Sequence, residues 1–309
     1  MAIIEVEGLR KEFRRLRGGA TIAVAGLDLE VPDGGVFGFL GPNGAGKTTT
    51  IRCLLGLVRP SAGRMRVLGS DVPGHLAAVM PKVGSIVEQP ALFPRFTGER
   101  NLQILARIQG ASRADIARVL ERVGLTERRR DPVRTYSLGM KQRLGIAAAL
   151  LKDPSLLVLD EPANGLDPAG IVEVRELIRS LGAEGRTVFV SSHILSEVQQ
   201  TADRVAILSR GRAVRVGSVA EVLEAGGARG LVVKVKVADI PRAQAVLAGV
   251  GIGVEVAGDE LRVALDPTEA ERVTRSLAEQ GLYLTELRPD TVDLETVFLE
   301  LTKDERPGA

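Results

Sequence analysis

Residues 3–9, "IIEVEGL", alternate apolar and polar side chains, the period-two pattern of a strand. "TIAVAGLDLEVPDGGVFGFL" predicts two strands broken at "PDGG". "VFGFL" is nearly continuous in apolar residues, as expected of a strand buried on both faces of a parallel sheet. It runs into "GPNGAGKTTT", after which "IRCLLGLV" predicts a helix reaching Pro60. "LLVLD" at 156–160 and "TVFVSSH" at 187–193 repeat the buried-strand pattern, and "PAGIVEVRELIRSLGAEG" between them has helical spacing. "DRVAILSRGRAVRVGS" predicts a hairpin turned at Arg210–Gly211. This alternation predicts an α/β fold with a mainly parallel sheet. Residues about 92–152 interrupt it with helical patterns and read as an inserted lobe.

The pattern changes near residue 230. From there the chain reads β-α-β-β-α-β, with a hairpin at Gly258–Asp259, the split βαβ order of ferredoxin-like α+β domains. "DLETVFLELTKD" adds a final amphipathic helix with Val297, Phe298 and Leu301 on one side. Two domains are expected, 1–224 and 225–309, the second carrying no chemical motif. Its amphipathic last helix suggests an accessory or regulatory role.

Composition narrows the function without naming it. Aromatic residues make up 3% of the chain and tryptophan is absent, so the core is aliphatic. The longest apolar stretch, within "LGIAAALL", is far short of the roughly 20 residues of a membrane span. The N-terminus lacks the basic start and apolar run of a signal peptide, which places the chain in the cytoplasm. One cysteine, Cys53, excludes an internal disulfide framework and a cysteine metal cluster. A net charge of +2 gives no reason to expect a nucleic-acid partner.

The chemistry begins at "GPNGAGKT". Gly41, Pro42, Asn43, Gly44, Ala45, Gly46, Lys47 and Thr48 fit G-x-x-x-x-G-K-[ST] between a predicted strand and a predicted helix. Glycines let backbone N–H groups turn inward around phosphate oxygens, and the helix N-terminus adds free donors. Lys47 is placed to reach the β and γ phosphates, and the Thr48 hydroxyl to ligate Mg²⁺. Thr49 follows in the same helix start. The bland alternative is a glycine-rich turn with an exposed lysine.

"LLVLDEP" puts Asp160 and Glu161 at the carboxyl end of a buried strand, where open α/β sheets bind ligands. Adjacent acids on extended chain point to opposite sides, so they take different tasks. Asp160 suits a cation. Glu161 suits a general base for an attacking water, or else it only caps the turn before Pro162. Gln89, ending "SIVEQ", offers an amide for Mg²⁺ and water, or is an ordinary loop residue. His193, after "TVFVSS", faces the same edge, or is a satisfied structural histidine. Parallel strands share one carboxyl edge, so these residues can converge. "YSLGMKQR" adds Ser137 as a helix cap and Gly139 in the first turn, an anion-binding geometry.

The ordered set "GPNGAGKTT", "EQP", "YSLGMKQR", "LLVLDEP", "NGLD" and "SSH" resembles the ATP-binding cassette (ABC) family over residues about 1–220. The resemblance implies a P-loop NTPase cassette with an antiparallel β edge and a helical lobe. It implies Mg·ATP hydrolysis by two cassettes paired head to tail. Ser137 and Gly139 then serve the partner's γ-phosphate, and Asn164–Asp167 line the same interface. Phe13 falls where an aromatic ring stacks on adenine; by itself it reads as core. Leu138 and Met140 stand where the commonest signature has Gly and Gln. "SLGMKQRLG", "PANGLDP" and the C-terminal "LETVFLELT" resemble the ATP-binding subunits of daunorubicin and bacitracin exporters. That implies a separate integral-membrane permease, with this chain peripheral on the inner face of the cell membrane. The lobe would be its dock, with Phe93, Pro94 and Phe96 either contacting it or packing within the lobe. The alternative is a cassette ATPase with a non-transport regulatory role. Such proteins usually carry two cassettes or a long coiled-coil insertion, and neither is legible here. A GTPase would need a guanine-reading N-K-x-D, which is not found.

Overall fold

The near-continuous apolar runs form a buried, mostly parallel sheet in the computed structural model, which describes residues 2–14, 19–225, 230–290 and 293–301. Contacts divide the chain into two units, Met1–Val219 and Ala220–Ala309. Residues 226–229, just before the predicted shift near residue 230, and the end of the last predicted helix, 302–304, lie outside the described residues.

In chain order the first unit begins with β1 (Ala2–Arg14), β2 (Ala20–Pro32), β3 (Gly35–Leu40), α1 (Lys47–Leu54), β4 (Ala62–Val67), β5 (Ser70–Val72), α2 (Leu76–Val79) and β6 (Val83–Ile86). The lobe comes next as α3 (Gly98–Gln109), α4 (Arg113–Arg122) and α5 (Leu138–Ala149). Then come β7 (Leu156–Asp160), α6 (Pro168–Ala183), β8 (Thr187–Ser192), α7 (Leu195–Gln199), β9 (Arg204–Ser209), β10 (Arg212–Ser218) and α8 (Val219–Ala225), which crosses into the second unit. The central sheet has the order β10-β9-β3-β8-β7-β6. Its strands run parallel except for β10, which pairs antiparallel with β9. A separate antiparallel sheet, β2-β1-β4-β5, supplies the expected antiparallel part.

Register explains why the site residues meet. Leu40 pairs with Ser192, and Asp160 with Ser191. The carboxyl ends of β3, β7 and β8 therefore finish level. Phe189 of β8 stacks on Phe37 of β3 at 5.8 Å and packs tilted against Phe39 at 5.1 Å, joining the middles of β3 and β8. Below the site the core is otherwise aliphatic, with Ile4, Leu9, Leu27 and Ile51 fully buried.

The β9–β10 turn holds the phosphate loop in place. Arg210 and Gly211 both have positive φ, 45° and 77°, as a two-residue hairpin of matching twist requires. The Gly211 N–H donates to the Ala45 carbonyl at 2.9 Å, and the Gly211 carbonyl accepts from the Ala25 N–H at 2.8 Å. One turn thus joins the phosphate loop to the antiparallel sheet.

Two expectations are corrected. The helix after the phosphate loop stops at Leu54 rather than reaching Pro60. Gly56 takes φ 68°, its N–H donates to Cys53, and the Leu57 N–H donates to Arg52, closing the helix in a Schellman motif. In the last helix, α11 (Leu294–Leu301), the buried residues are Leu294 and Val297, whereas Leu301 is 37% exposed. The α11 range, Leu294–Leu301, comes after β11 (Leu231–Lys234), α9 (Ile240–Gly249), β12 (Gly253–Ala257), β13 (Glu260–Ala264), α10 (Ala270–Ala278) and β14 (Glu286–Pro289). Those four strands pair antiparallel in the order β12-β13-β11-β14, the ferredoxin-like arrangement. Leu231, Val233, Leu261 and Val263 from the strands pack with Leu247, Val273 and Leu277 from the helices.

A Cβ at position 211 would lie 2.8 Å from the Val24 Cα and the Ala25 N, both backbone atoms. Gly211→Ala is expected to lose more than about 1 kcal/mol, from left-handed strain plus this clash. Urea unfolding checks it, and an unshifted midpoint would show that the turn is not a brace.

Candidate functional site

The phosphate loop joins β3 to α1. Gly44 and Gly46 have φ of 85° and 103°, and a Cβ on Gly46 would come 2.5 Å from the Ala23 carbonyl oxygen. Only glycine fits there. Gly46 starts α1 without a side-chain cap, so the first N–H groups keep their donors free for an anion. Pro42, Asn43 and Gly44 are exposed at the crest, Gly41, Ala45 and Gly46 are buried, and Thr48 and Thr49 are half-buried.

Lys47 is not the exposed lysine of the bland alternative. It is 5% exposed, and its Nζ donates to the Gly41 carbonyl at 2.7 Å and the Pro42 carbonyl at 3.3 Å. Its charge is met by Glu161 Oε1 at 3.1 Å. The other Glu161 oxygen lies 2.6 Å from His193 Nδ1 and accepts from the His193 N–H at 3.3 Å. One carboxylate thus bridges the phosphate-loop lysine and the histidine at the end of β8. Nothing along the sequence shows this bond pattern, because the residues lie 114 and 32 positions from Glu161 (161 − 47 and 193 − 161).

The two acids have different partners, and the chain between them is not extended. β7 ends at Asp160, and Glu161 turns into the left-handed region at φ 50°. Asp160 is 3% exposed, and its Oδ1 accepts from the Ser191 hydroxyl at 2.5 Å. Asp160, Glu161, Thr48 and Gln89 line one cleft of about 570 Å³. Gln89 reaches it from the loop after β6, where Glu88 takes φ 64° and pairs its carboxylate with Arg52 of α1. The cleft offers a carboxylate, a hydroxyl and an amide oxygen, the hard donors suited to Mg²⁺ alongside substrate phosphates.

The signature residues are placed differently. Ser137 caps α5, its Oγ accepting from the Met140 N–H at 3.1 Å. Leu138, Lys141 and Gln142 of α5 line the same chain's cleft, but Ser137 and Gly139 are not among its lining. A Cβ on Gly139 would meet nothing nearer than the Gly170 Cα at 3.5 Å. Packing within one chain does not require glycine there. Met140 is half-buried and packs against the core of the lobe. In the loop beyond Glu161, Asn164 lines the cleft, and Asp167 caps α6 by accepting from the Gly170 N–H at 3.1 Å.

Phe13 is 42% exposed, with Lys11 Nζ 4.8 Å above its ring, so it is not core. It pairs with Thr21 on β2, two residues from the Ala23 carbonyl that abuts Gly46. The ring therefore stands on the strand pair that borders the phosphate loop. Phe93 and Phe96 are also exposed and face each other at 5.5 Å.

Sequence reasoning missed Ser191. It is fully buried, and its hydroxyl contacts both acids' backbone or side chain. The available signal was a serine ending an otherwise apolar buried strand.

An ABC transporter family model matches residues 24–164. The chain is 40% identical over 303 residues to the uncharacterized ABC transporter ATP-binding protein YhcH of Bacillus subtilis (strain 168), covering 97% of this chain and 96% of that protein. The chain belongs to the ABC transporter family. As a cassette of that family it is an ATPase. It is 44% identical over 222 residues to the bacitracin transport ATP-binding protein BcrA of Enterococcus faecalis, covering 71% of this chain and 70% of BcrA. It is 39% identical over 310 residues to the daunorubicin resistance ATP-binding protein DrrA3 of Streptomyces coeruleorubidus, covering 98% and 96%. A solved ATP-binding subunit of an ABC transporter superposes with a TM-score of 0.63 at 29% identity, covering 73% of this chain and 93% of that one.

Proposed function

We propose that this chain is the ATP-hydrolysing subunit of an exporter whose pore is a separate integral-membrane permease. The cargo class is a drug, an antibiotic or another hydrophobic compound. Relatives named for bacitracin transport and daunorubicin resistance support that class. Among the described residues no helix is long and apolar enough to cross a membrane, which fits a permease on another chain. The chain then works in the cytoplasm, on the inner face of the membrane. The exposed pair Phe93 and Phe96 on the lobe is the surface offered to that permease.

The observation that carries the mechanism is the Glu161 carboxylate set between Lys47 and His193. ATP phosphates enter at the free N–H groups of α1, and Lys47 turns to them, leaving Glu161. The adenine stacks on Phe13. Glu161 then accepts the proton of a water whose oxygen attacks the γ-phosphorus, as the bond to the ADP oxygen breaks. His193 contacts the γ-phosphate. Thr48, Asp160 and Gln89 hold Mg²⁺, which supplies charge neutralisation to the phosphates when bound. Two copies close over two nucleotides, each giving Ser137 and Gly139 to the other's γ-phosphate. The non-transport alternative lacks a supporting observation.

Positioned proton transfer contributes about 10²–10⁴ in rate, so Glu161→Gln is expected to bind ATP but hydrolyse it slower by that factor. Co-expressed with its permease, the wild-type chain should lower accumulation of daunorubicin, and this variant should not. Normal hydrolysis by the variant contradicts the base assignment. Unchanged accumulation across a drug panel contradicts the export reading.

The second unit is assigned to stabilising the dimer or regulating its closure, on the strength of its own core and the amphipathic α11. Deleting residues after 225 is expected to weaken ATP-dependent dimerisation or alter the ATPase rate. Dimerisation, turnover and permease assembly that all survive the deletion would remove this role.

A further inference from the structure

Ser191 is one residue from the end of β8, fully buried in a strand whose preceding residues are mostly apolar. A buried hydroxyl is costly unless it is bonded. This one is bonded twice, and both partners belong to the acid pair. It donates to Asp160 Oδ1 at 2.5 Å and accepts from the Glu161 N–H at 3.0 Å. The Ser191 carbonyl accepts from the same N–H at 3.2 Å. The Glu161 amide is thus clamped by one residue on the neighbouring strand.

The clamp matters because Glu161 stands at φ 50°, a backbone conformation unfavourable for any side chain other than glycine. Two sets of bonds hold it there. Its carboxylate is tied to Lys47 and His193, and its amide is tied to Ser191. The tie to Lys47 is lost when phosphate takes the lysine. The amide tie involves no group that binds nucleotide, so it persists.

We propose that Ser191 is a positioning residue for hydrolysis. It fixes where the Glu161 carboxylate stands once Lys47 has turned to phosphate. Through the same hydroxyl it links that position to Asp160, the acid assigned to the cation. This rests on the reading of Glu161 as the base and Asp160 as the cation ligand. A purely packing role would have the hydroxyl do no more than satisfy Asp160. Removing it would then leave an unbonded buried carboxylate, and stability, nucleotide affinity and turnover would fall together.

The test is Ser191→Ala in the full chain, compared with wild type and Glu161→Gln. A displacement of about 1 Å at a reacting group can cost on the order of 10²-fold. Turnover is therefore expected to fall about 10- to 100-fold. ATP affinity measured in EDTA should stay within about twofold of wild type, since the clamp touches no nucleotide-binding group. Hydrogen exchange should quicken in the segment 160–163, whose Glu161 amide keeps only its 3.2 Å bond to the residue-191 carbonyl. Wild-type turnover by Ser191→Ala beside an inactive Glu161→Gln overturns the positioning role alone. So does a parallel loss of melting temperature, affinity and turnover. An active Glu161→Gln would instead overturn the base reading on which the proposal rests.

Discussion

A lysine buried beside a phosphate-binding loop needs a counter-charge, and in the free chain Glu161 supplies it. Burying an unpaired charge costs several kcal/mol, so Lys47 without this pair would be a liability to the fold. In the proposed mechanism the tie also sets the order of events. While Glu161 holds Lys47, its carboxylate is occupied by two partners. A phosphate that takes Lys47 frees one carboxylate oxygen beside the bond to be hydrolysed. In the proposed mechanism the counter-ion of Lys47 and the base for hydrolysis are the same group.

That arrangement depends on the sheet. β3, β7 and β8 end level because their parallel ladders are in register, with Phe37 and Phe39 of β3 packed on Phe189 of β8. A strand slipped by one residue would turn its side chains to the other face and dissolve the cluster. The hairpin at Arg210–Gly211 and the Arg52–Glu88 pair play the same part from outside the sheet. One steadies the phosphate loop, and the other ties α1 to the loop carrying Gln89. The signature helix is the exception. Its capped start presents Ser137, while Gly139 answers no packing demand within the chain. A glycine with no internal reason is what a site completed by a second copy would leave.

The architecture was legible because its signals are local. "VFGFL", "LLVLD" and "TVFVSS" could only be buried strands, and the phosphate loop declared itself by spacing between a strand and a helix. The turns at Arg210–Gly211 and Gly258–Asp259 were equally readable. Less legible were features set by bonds between distant residues. Glu161 reads as the end of an extended segment, whereas it takes a left-handed turn with its amide bonded to Ser191 on another strand. The burial of Lys47 is not legible either, because Gly41, Pro42 and Glu161 close around it. The early end of α1 at Leu54 was written in Gly56, but an apolar run through Val58 masked it. The buried side of α11 differs because hydrophobic spacing marks a face without saying which end of it is covered.

The central claim is that each chain carries half of two composite sites. Mixing two disabled variants tests this most directly. Lys47→Ala damages the phosphate-loop half, and Ser137→Arg damages the signature half. A mixed pair contains one site with both halves intact. ATP hydrolysis should return on mixing, although each variant alone has almost none. If the mixture turns over ATP no faster than its separate components, the two halves do not meet across a pair of chains, and the account fails.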